Sequence, residues 1–496
     1  MYDICIIGGG VVGCAIAREL SRYQLDMVLC EKGEDVGVGA TKANSAIVHG
    51  GYTSKHGTLK GELSIRGNRM YDRLEEELNF GLKRTGSLVL AFSDTDRIKL
   101  DDLLANGERN GVKGLRIIGR TELEEIEPHA GPMAAAALYC PETGITSPYE
   151  FCIALAENGV ANGLQLRLHT EVTGIEKEGG HFKLQTLVNN PAEPETAEIE
   201  IESAFIINAA GVYSDWVSSM AGDNSFSIQP RQGQYLIFRR GHGAVARHVV
   251  FQAPGPKGKG VLVSPTYWGN LIIGPNSEEI SVREDLSTNQ EILRGIIRTA
   301  RRSIPSFDLK QLIRSYSGIR ATSNTRDFIV GESSVRGFIQ AAGIDSPGLT
   351  SSPAIAEMVV NLLESAGLDL EKKDSFRAER TAVITPFPLS RYSEISGDAD
   401  LPEGNPERLI CRCEQVREKT ILEVLRRGIP IDSTDAVKRR TRAGMGYCQG
   451  KFCGPRVLRI IAAETGLPED RIRAGGAGSG VFPERISGKE LRELEP

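Results

Sequence analysis

The 496-residue chain contains no apolar run approaching the 18 or so residues that a membrane-spanning helix needs. It also has no leader pattern. The first strand signal begins at Tyr2, which leaves no room for a basic stretch followed by an apolar one. A cytosolic location is the expectation, with peripheral membrane contact only through a partner. Basic charge is not in excess: 59 Lys and Arg stand against 65 Asp and Glu, a net charge of −6. The whole chain therefore offers no electrostatic ground for binding nucleic acid. Nine cysteines, an odd number in a chain without an export signal, argue against a disulfide framework. What the chain does have is glycine. Its 55 glycines imply many tight turns or close approaches of backbone to a ligand. At this length two or three domains are expected.

The opening "YDICIIGGGVVGCAIARELSRYQLDMVLCEK" reads as strand, glycine turn, helix, strand. Gly8, Gly10 and Gly13 have the dinucleotide-fingerprint spacing: one for the turn, one for backbone approach to pyrophosphate, one for helix–strand packing. The following helix N-terminus would face the phosphates, and Glu31, ending the second strand, the ribose hydroxyls. Two later segments favour FAD over NAD. "AFIINAAGVYSD" (204–215) runs from an apolar strand into small residues. "GFIQAAGIDSPGLTSSPAIAEMVVNLL" (337–363) is a strand, a small-residue loop and a helix with Pro353 near its expected start. A site assembled from three distant pieces suits a long ligand.

These segments, with "GATKANSAIVHGGY" (39–52), resemble the D-amino-acid-oxidase-type superfamily of FAD enzymes over about residues 1–370. Within it the likeness is to anaerobic FAD-dependent glycerol-3-phosphate dehydrogenases and to L-2-hydroxyglutarate dehydrogenases. "NGVKGLRII" and "YCPETGI" lean to the second group, and "RSYSGIRA" to the first. The resemblance implies an α/β fold. A discontinuous FAD domain would span 1–80, 145–220 and 325–370. An α+β substrate domain, built on an antiparallel sheet, would span 81–144 and 221–324. It further implies flavin contacts at Lys32, Thr41, Asn44, Ser45, Val172, Ala210, Gly211, Gly343, Ile344, Gly348, Leu349 and Thr350. Strand-like stretches at 86–93, 231–240 and 260–274 agree with a sheet. "STNQEILRGIIRTARRSIP" (287–305) has helical periodicity and stops at a proline.

Oxidation of a secondary alcohol by flavin needs a base and an anion clamp. Arginine suits the clamp because its planar fork meets a carboxylate or phosphate through two bonds. Arg320, in the motif where the resembled family carries its anion-binding arginine, is the first choice, and Arg231 the second. His49, between an apolar pair and two glycines, is the expected base, since an unperturbed imidazole titrates near neutrality; His56 is the weaker candidate. Tyr235, Tyr267 and Tyr316 are candidate pocket residues.

After residue 371 a polar linker (371–405) leads to Cys411-Arg-Cys413, a helix-like 418–428, a basic stretch "VKRRTRAG", then Cys448, Cys453 and a second helix signal at 454–466. By spacing alone, structural zinc and an iron–sulfur cluster are evenly matched, since C-x-C is a poor zinc knuckle. The segment 406–466 resembles the bacterioferritin-associated-ferredoxin type of [2Fe–2S] domain, which makes the four cysteines cluster ligands. Lys438, Arg439, Arg440 and Arg442 are then placed to offset the cluster's negative charge. The glycine-rich tail, 467–496, is a possible docking segment. The function expected is a dehydrogenase of a small anionic 2-hydroxy compound, glycerol 3-phosphate or L-2-hydroxyglutarate. Its electrons would pass through the cluster to an acceptor protein or second flavoprotein subunit. An amine dehydrogenase and a non-catalytic relay subunit are the alternatives.

Overall fold

The computed structural model describes residues 1–189, 195–255, 260–383 and 401–475. The apolar run at the start forms the strand Tyr2–Ile7. It lies between two parallel neighbours, Ala197–Asn208 and Met27–Cys30, and its last four residues are buried, as a central parallel strand requires. Gln165–Arg167 continues the parallel order on one side and Phe338–Ala342 on the other. One sheet is thus stitched from three distant stretches. Its helices, among them Val11–Leu20, Leu59–Leu78, Pro148–Ala161 and Gly348–Ser365, bury Ile16, Leu63, Phe151, Ile355 and Val359 in a single apolar core. The last of these helices begins at Gly348, so Pro353 lies inside it rather than in its first turn.

A second sheet of nine strands is mostly antiparallel and centres on the pair Ile228–Phe238 and Leu312–Ser323. Alternation sets its two faces. Leu236 and Phe238 join the apolar face of the helix Gln290–Ser303, capped by Asn289. Tyr235 turns the other way and packs with Phe251, Ile47 and Tyr52. That contact ties the second sheet to the strand Ile47–Val48 that leads into His49.

Residues 401–475 fold around their own core of Ile421, Val424, Val437, Val457 and Ile461. The two helix signals appear as Glu418–Leu425 and Gly454–Thr465. The basic stretch, read from sequence without secondary structure, is the end of a third helix, Thr434–Thr441, capped by Ser433. The start of the linker lies on the first domain: Arg380 bonds Glu157 at 2.7 Å, and the Arg377 amide donates to Asn162. Residues 384–400 of the linker and 476–496 of the tail lie outside the described residues. No helix among the described residues is long and apolar enough to cross a membrane.

Candidate functional site

The three fingerprint glycines have three different surroundings. Gly8 has φ +108°, and a Cβ there would overlap the Ala209 carbonyl. A Cβ at Gly13 would overlap the Gly8 carbonyl, so helix and strand touch only because it is glycine. At Gly10 a Cβ would meet nothing closer than Thr41 Oγ1 at 3.6 Å, which leaves that backbone open to a ligand. Gly10 offers the helix Val11–Leu20 no side-chain cap. Thr41 takes one of the free amides, its Oγ1 accepting from Val11 N at 3.0 Å. The Glu31 carboxylate accepts from Gly9 N and Gly33 N, 2.7 Å each, and keeps a lone pair on each oxygen for further donors. Burial raises its pKa, against the pull of these two amides.

The remaining flavin candidates fall on the elements that follow. Lys32 lies over the Tyr213 ring, and Val172 packs with Cys30 and Val217. Ala210 and Gly211 follow the strand Ala197–Asn208, and a Cβ on Gly211 would meet nothing within 4 Å. Asn44 ties its own loop together, bonding Thr41 O and Ala46 N on either side of Ser45. Gly343 takes a positive φ, and the Ile344 side chain packs against Gly348. Gly348, Leu349 and Thr350 form a second helix N-terminus without a side-chain cap. Two uncapped helix ends, with open backbone at Gly10 and Gly211, fit a long dinucleotide such as FAD.

His49 is fixed from three sides. Its amide donates to Thr350 Oγ1 at 2.9 Å, its carbonyl accepts from Asn68 at 2.8 Å, and its ring stacks on Phe251 with centroids 6.3 Å apart. His56 lies elsewhere, bonded to Asn110. Arg231 and Arg320 are register partners on neighbouring strands, as are Tyr235 and Tyr316 four residues along. The tyrosine rings stack at 4.9 Å. Gly233 lets the Arg320 guanidinium cross onto the adjacent strand: a Cβ there would fall 2.5 Å from Nη2. Among the described residues, Arg320 bonds only the Asn276 carbonyl, at 3.4 Å, and Arg231 Nε is buried with no partner. Tyr267 packs on Gly81 and Trp268 instead. Sequence reasoning passed over Gly233, although a glycine inside a strand marks a close approach.

The four thiols of the C-terminal unit form two pairs. Cys413 Sγ and Cys448 Sγ lie 3.8 Å apart, about the separation of two thiolates on one tetrahedral ion with ~2.3 Å bonds. Cys411 and Cys453 are hydrogen-bonded to each other, and charge on one pair is felt by the other. No group of three or more His, Cys, Asp or Glu side chains among the described residues is set to hold a metal ion as one site. A single zinc would draw all four sulfurs to one point, whereas a two-iron cluster takes its four thiolates two to an iron. The arrangement suits the cluster. Backbone amides of Gly444 and Glu414 reach Cys411, and Gly446 leaves no room for a Cβ beside Cys413.

The basic stretch acts differently from the sequence expectation. Arg440 forks onto Asp35 of the first domain, at 2.6 and 2.8 Å, and Arg439 reaches the same carboxylate at 3.0 Å. Burial pushes the Asp35 pKa up, but the two arginines outweigh it and hold the carboxyl at about 2. Glu157, also of the first domain, receives Arg380 at 2.7 Å and Arg427 at 3.4 Å. Lys438 pairs with Asp435, and Arg442 with Glu414 at 2.8 Å. Two of the four charges, Arg439 and Arg440, therefore fasten the thiol domain to the first domain through the buried Asp35 carboxylate.

Comparison with known proteins agrees with this geometry. Residues 3–362 match the model of the FAD dependent oxidoreductase family, and residues 409–463 that of the BFD-like [2Fe-2S] binding domain. A glycerol 3-phosphate dehydrogenase of Caloramator mitchellensis is 42% identical over 487 residues, covering 97% of this chain and 98% of its own. A mitochondrial L-2-hydroxyglutarate dehydrogenase of Nematostella vectensis is 27% identical over 418 residues, covering 73% of this chain and 90% of its own. Among solved structures, a dithionite-reduced L-alpha-glycerophosphate oxidase from Mycoplasma pneumoniae with FAD bound superposes with a TM-score of 0.71. It is 29% identical and covers 76% of this chain and 98% of its own.

Proposed function

Since the chain belongs to the family of FAD-dependent oxidoreductases and carries a BFD-like [2Fe–2S] domain, we propose that it is a dehydrogenase of sn-glycerol 3-phosphate that delivers its electrons to a separate acceptor protein. The observation that carries the reading is the facing pair Arg231 and Arg320. Two guanidiniums on register partners repel, and neither forms an ion pair with a described residue, although Glu279 stands in register with Arg231 on its other side. A phosphate dianion would satisfy both. The near full-length likeness to a glycerol 3-phosphate dehydrogenase supports phosphate over dicarboxylate. The hydroxyglutarate relative is 27% identical, against 42% for that dehydrogenase.

In this reading Arg320, lying flat over Gly233, clamps the substrate's phosphate with Arg231. His49, held by Thr350, Asn68 and Phe251, takes the proton from the secondary hydroxyl. The stacked Tyr235 and Tyr316 close the pocket floor against water. The uncapped ends at Val11 and Gly348 hold FAD, with Thr41 and Glu31 beside its phosphates and ribose. Bound FAD supplies a hydride acceptor, and the cluster on Cys411, Cys413, Cys448 and Cys453 supplies one-electron transfer.

The test is anaerobic titration of the holoenzyme with sn-glycerol 3-phosphate, L-2-hydroxyglutarate and small amino acids in turn, recording flavin and cluster spectra. Glycerol 3-phosphate is expected to bleach the flavin and then the cluster. Bleaching by hydroxyglutarate or an amino acid alone would overturn the substrate assignment.

A further inference from the structure

A cavity of about 560 Å³ lies where the first domain, the second sheet and the thiol domain meet, and its lining includes none of His49, Arg231 and Arg320. Its size is that of a small-molecule site. Five cationic side chains line it, Lys42, Arg314, Lys438, Arg439 and Arg442, with Asp435 as the acidic one. Lys42 and Arg314 make no hydrogen bond or ion pair with any described residue, and Arg439 Nε is buried without a partner. Lys42 and Lys438 each feel repulsion from Arg314 and Arg439. Lys438, Arg439 and Arg442 are offset by Asp435, Asp35 and Glu414, so the charge left for an anion to satisfy is on Lys42 and Arg314, which face the same space.

The other wall is aromatic. Tyr149, Tyr316 and Trp268 line it, and each spends its polar tip elsewhere: on Met445 Sδ, the Asn44 carbonyl and the Glu150 carboxylate. What remains toward the space is ring surface, suited to stacking on a flat partner. Ala43 and Asn44 come from the loop that leads to His49. Met445 and Gln449 come from the loop that carries Cys448. An occupant would therefore touch both loops at once.

We propose that this cavity binds an organic anion of mononucleotide size, its phosphate among Lys42, Arg314 and Lys438 and its planar ring against the tyrosines. The cavity borders the site proposed above, sharing Tyr316 and Asn44 with it, but the assignment does not depend on which substrate that site takes. It is tested by equilibrium dialysis of the full-length holoenzyme against FMN, AMP and inorganic phosphate, with FAD content measured throughout. At least one mononucleotide is expected to bind at one per chain with FAD retained, and far more tightly than inorganic phosphate. Arg314→Glu is expected to weaken that binding at least tenfold, and Lys42→Met to a similar degree. Arg314 is exposed and has no ion pair among the described residues, so its replacement is expected to leave the fold intact. Retention of neither mononucleotide, phosphate binding as tight as either, or unchanged affinity in Arg314→Glu would each overturn the proposal.

Discussion

Arg320 illustrates how much a single side chain depends on its neighbours: its position over the next strand exists because residue 233 lacks a Cβ. Arg320→Lys keeps the charge but loses the fork. Steady-state assays should show KM raised ~10- to 100-fold, the equivalent of about 1.5–3 kcal/mol for a charged hydrogen bond, with FAD content unchanged. Glu150 provides a second test. Burial pushes its pKa up to about 7, against Arg442 and the Trp268 indole N–H at 2.7 Å. A folded pKa above the unfolded one means that stability is whole at low pH and declines as pH rises toward 7, because the buried carboxyl must ionise. Glu150→Gln, which still accepts from Trp268, should therefore be more stable than the parent at about pH 8 by ~2–3 kcal/mol, and nearly equal to it at about pH 5. Denaturant unfolding at both pH values measures the difference. Residues with local signatures, such as His49, Arg320 and the four cysteines, were legible in the sequence. Asp35 was not, since its partners lie 404 and 405 positions away.

At the scale of elements, the strand Leu312–Ser323 crosses the loop 43–46 with no clearance. A Cβ at Gly318 would overlap the Ala43 carbonyl, and the Tyr316 hydroxyl donates to the Asn44 carbonyl beside it. Gly318→Ala is expected to push strand and loop apart, destabilising by ~1–3 kcal/mol and loosening FAD, measurable as a lower Tm and flavin lost on dialysis. Gly295→Ala is the control. It lies in the helix Gln290–Ser303 with nothing within 4 Å, and should stabilise by ~0.5–1 kcal/mol. The strands and the helix at 287–305 were readable because their apolar periods are regular. The helix Thr434–Thr441 was not. It spans only eight residues, and of its buried residues only Ala436 and Val437 are apolar while Arg439, Arg440 and Thr441 are polar, too little for a hydrophobic period to register. Pro353 misled in the same way: proline favours a first turn, yet here the helix begins five residues earlier.

Over the whole molecule, the two cofactor-type halves were legible as separate textures, while their attachment was not. From sequence Arg439 and Arg440 read as offsetting the cluster's charge, and nothing local points to Asp35, which lies beneath them. Removing one partner of such a buried network costs ~3–5 kcal/mol. Asp35→Asn should leave flavin reduction by substrate intact while slowing cluster reduction in stopped-flow traces and opening residues 401–475 to protease. Equal cluster kinetics in variant and parent would show that the contact does not set the path. The same fastening bears on how this polypeptide can be divided. Cutting it within 384–400 would not release a self-sufficient flavoprotein. It would leave Asp35 on the front piece without either arginine, take Arg427 from Glu157 and leave unmatched guanidiniums on the back piece, so both fragments should be prone to clump until remixed.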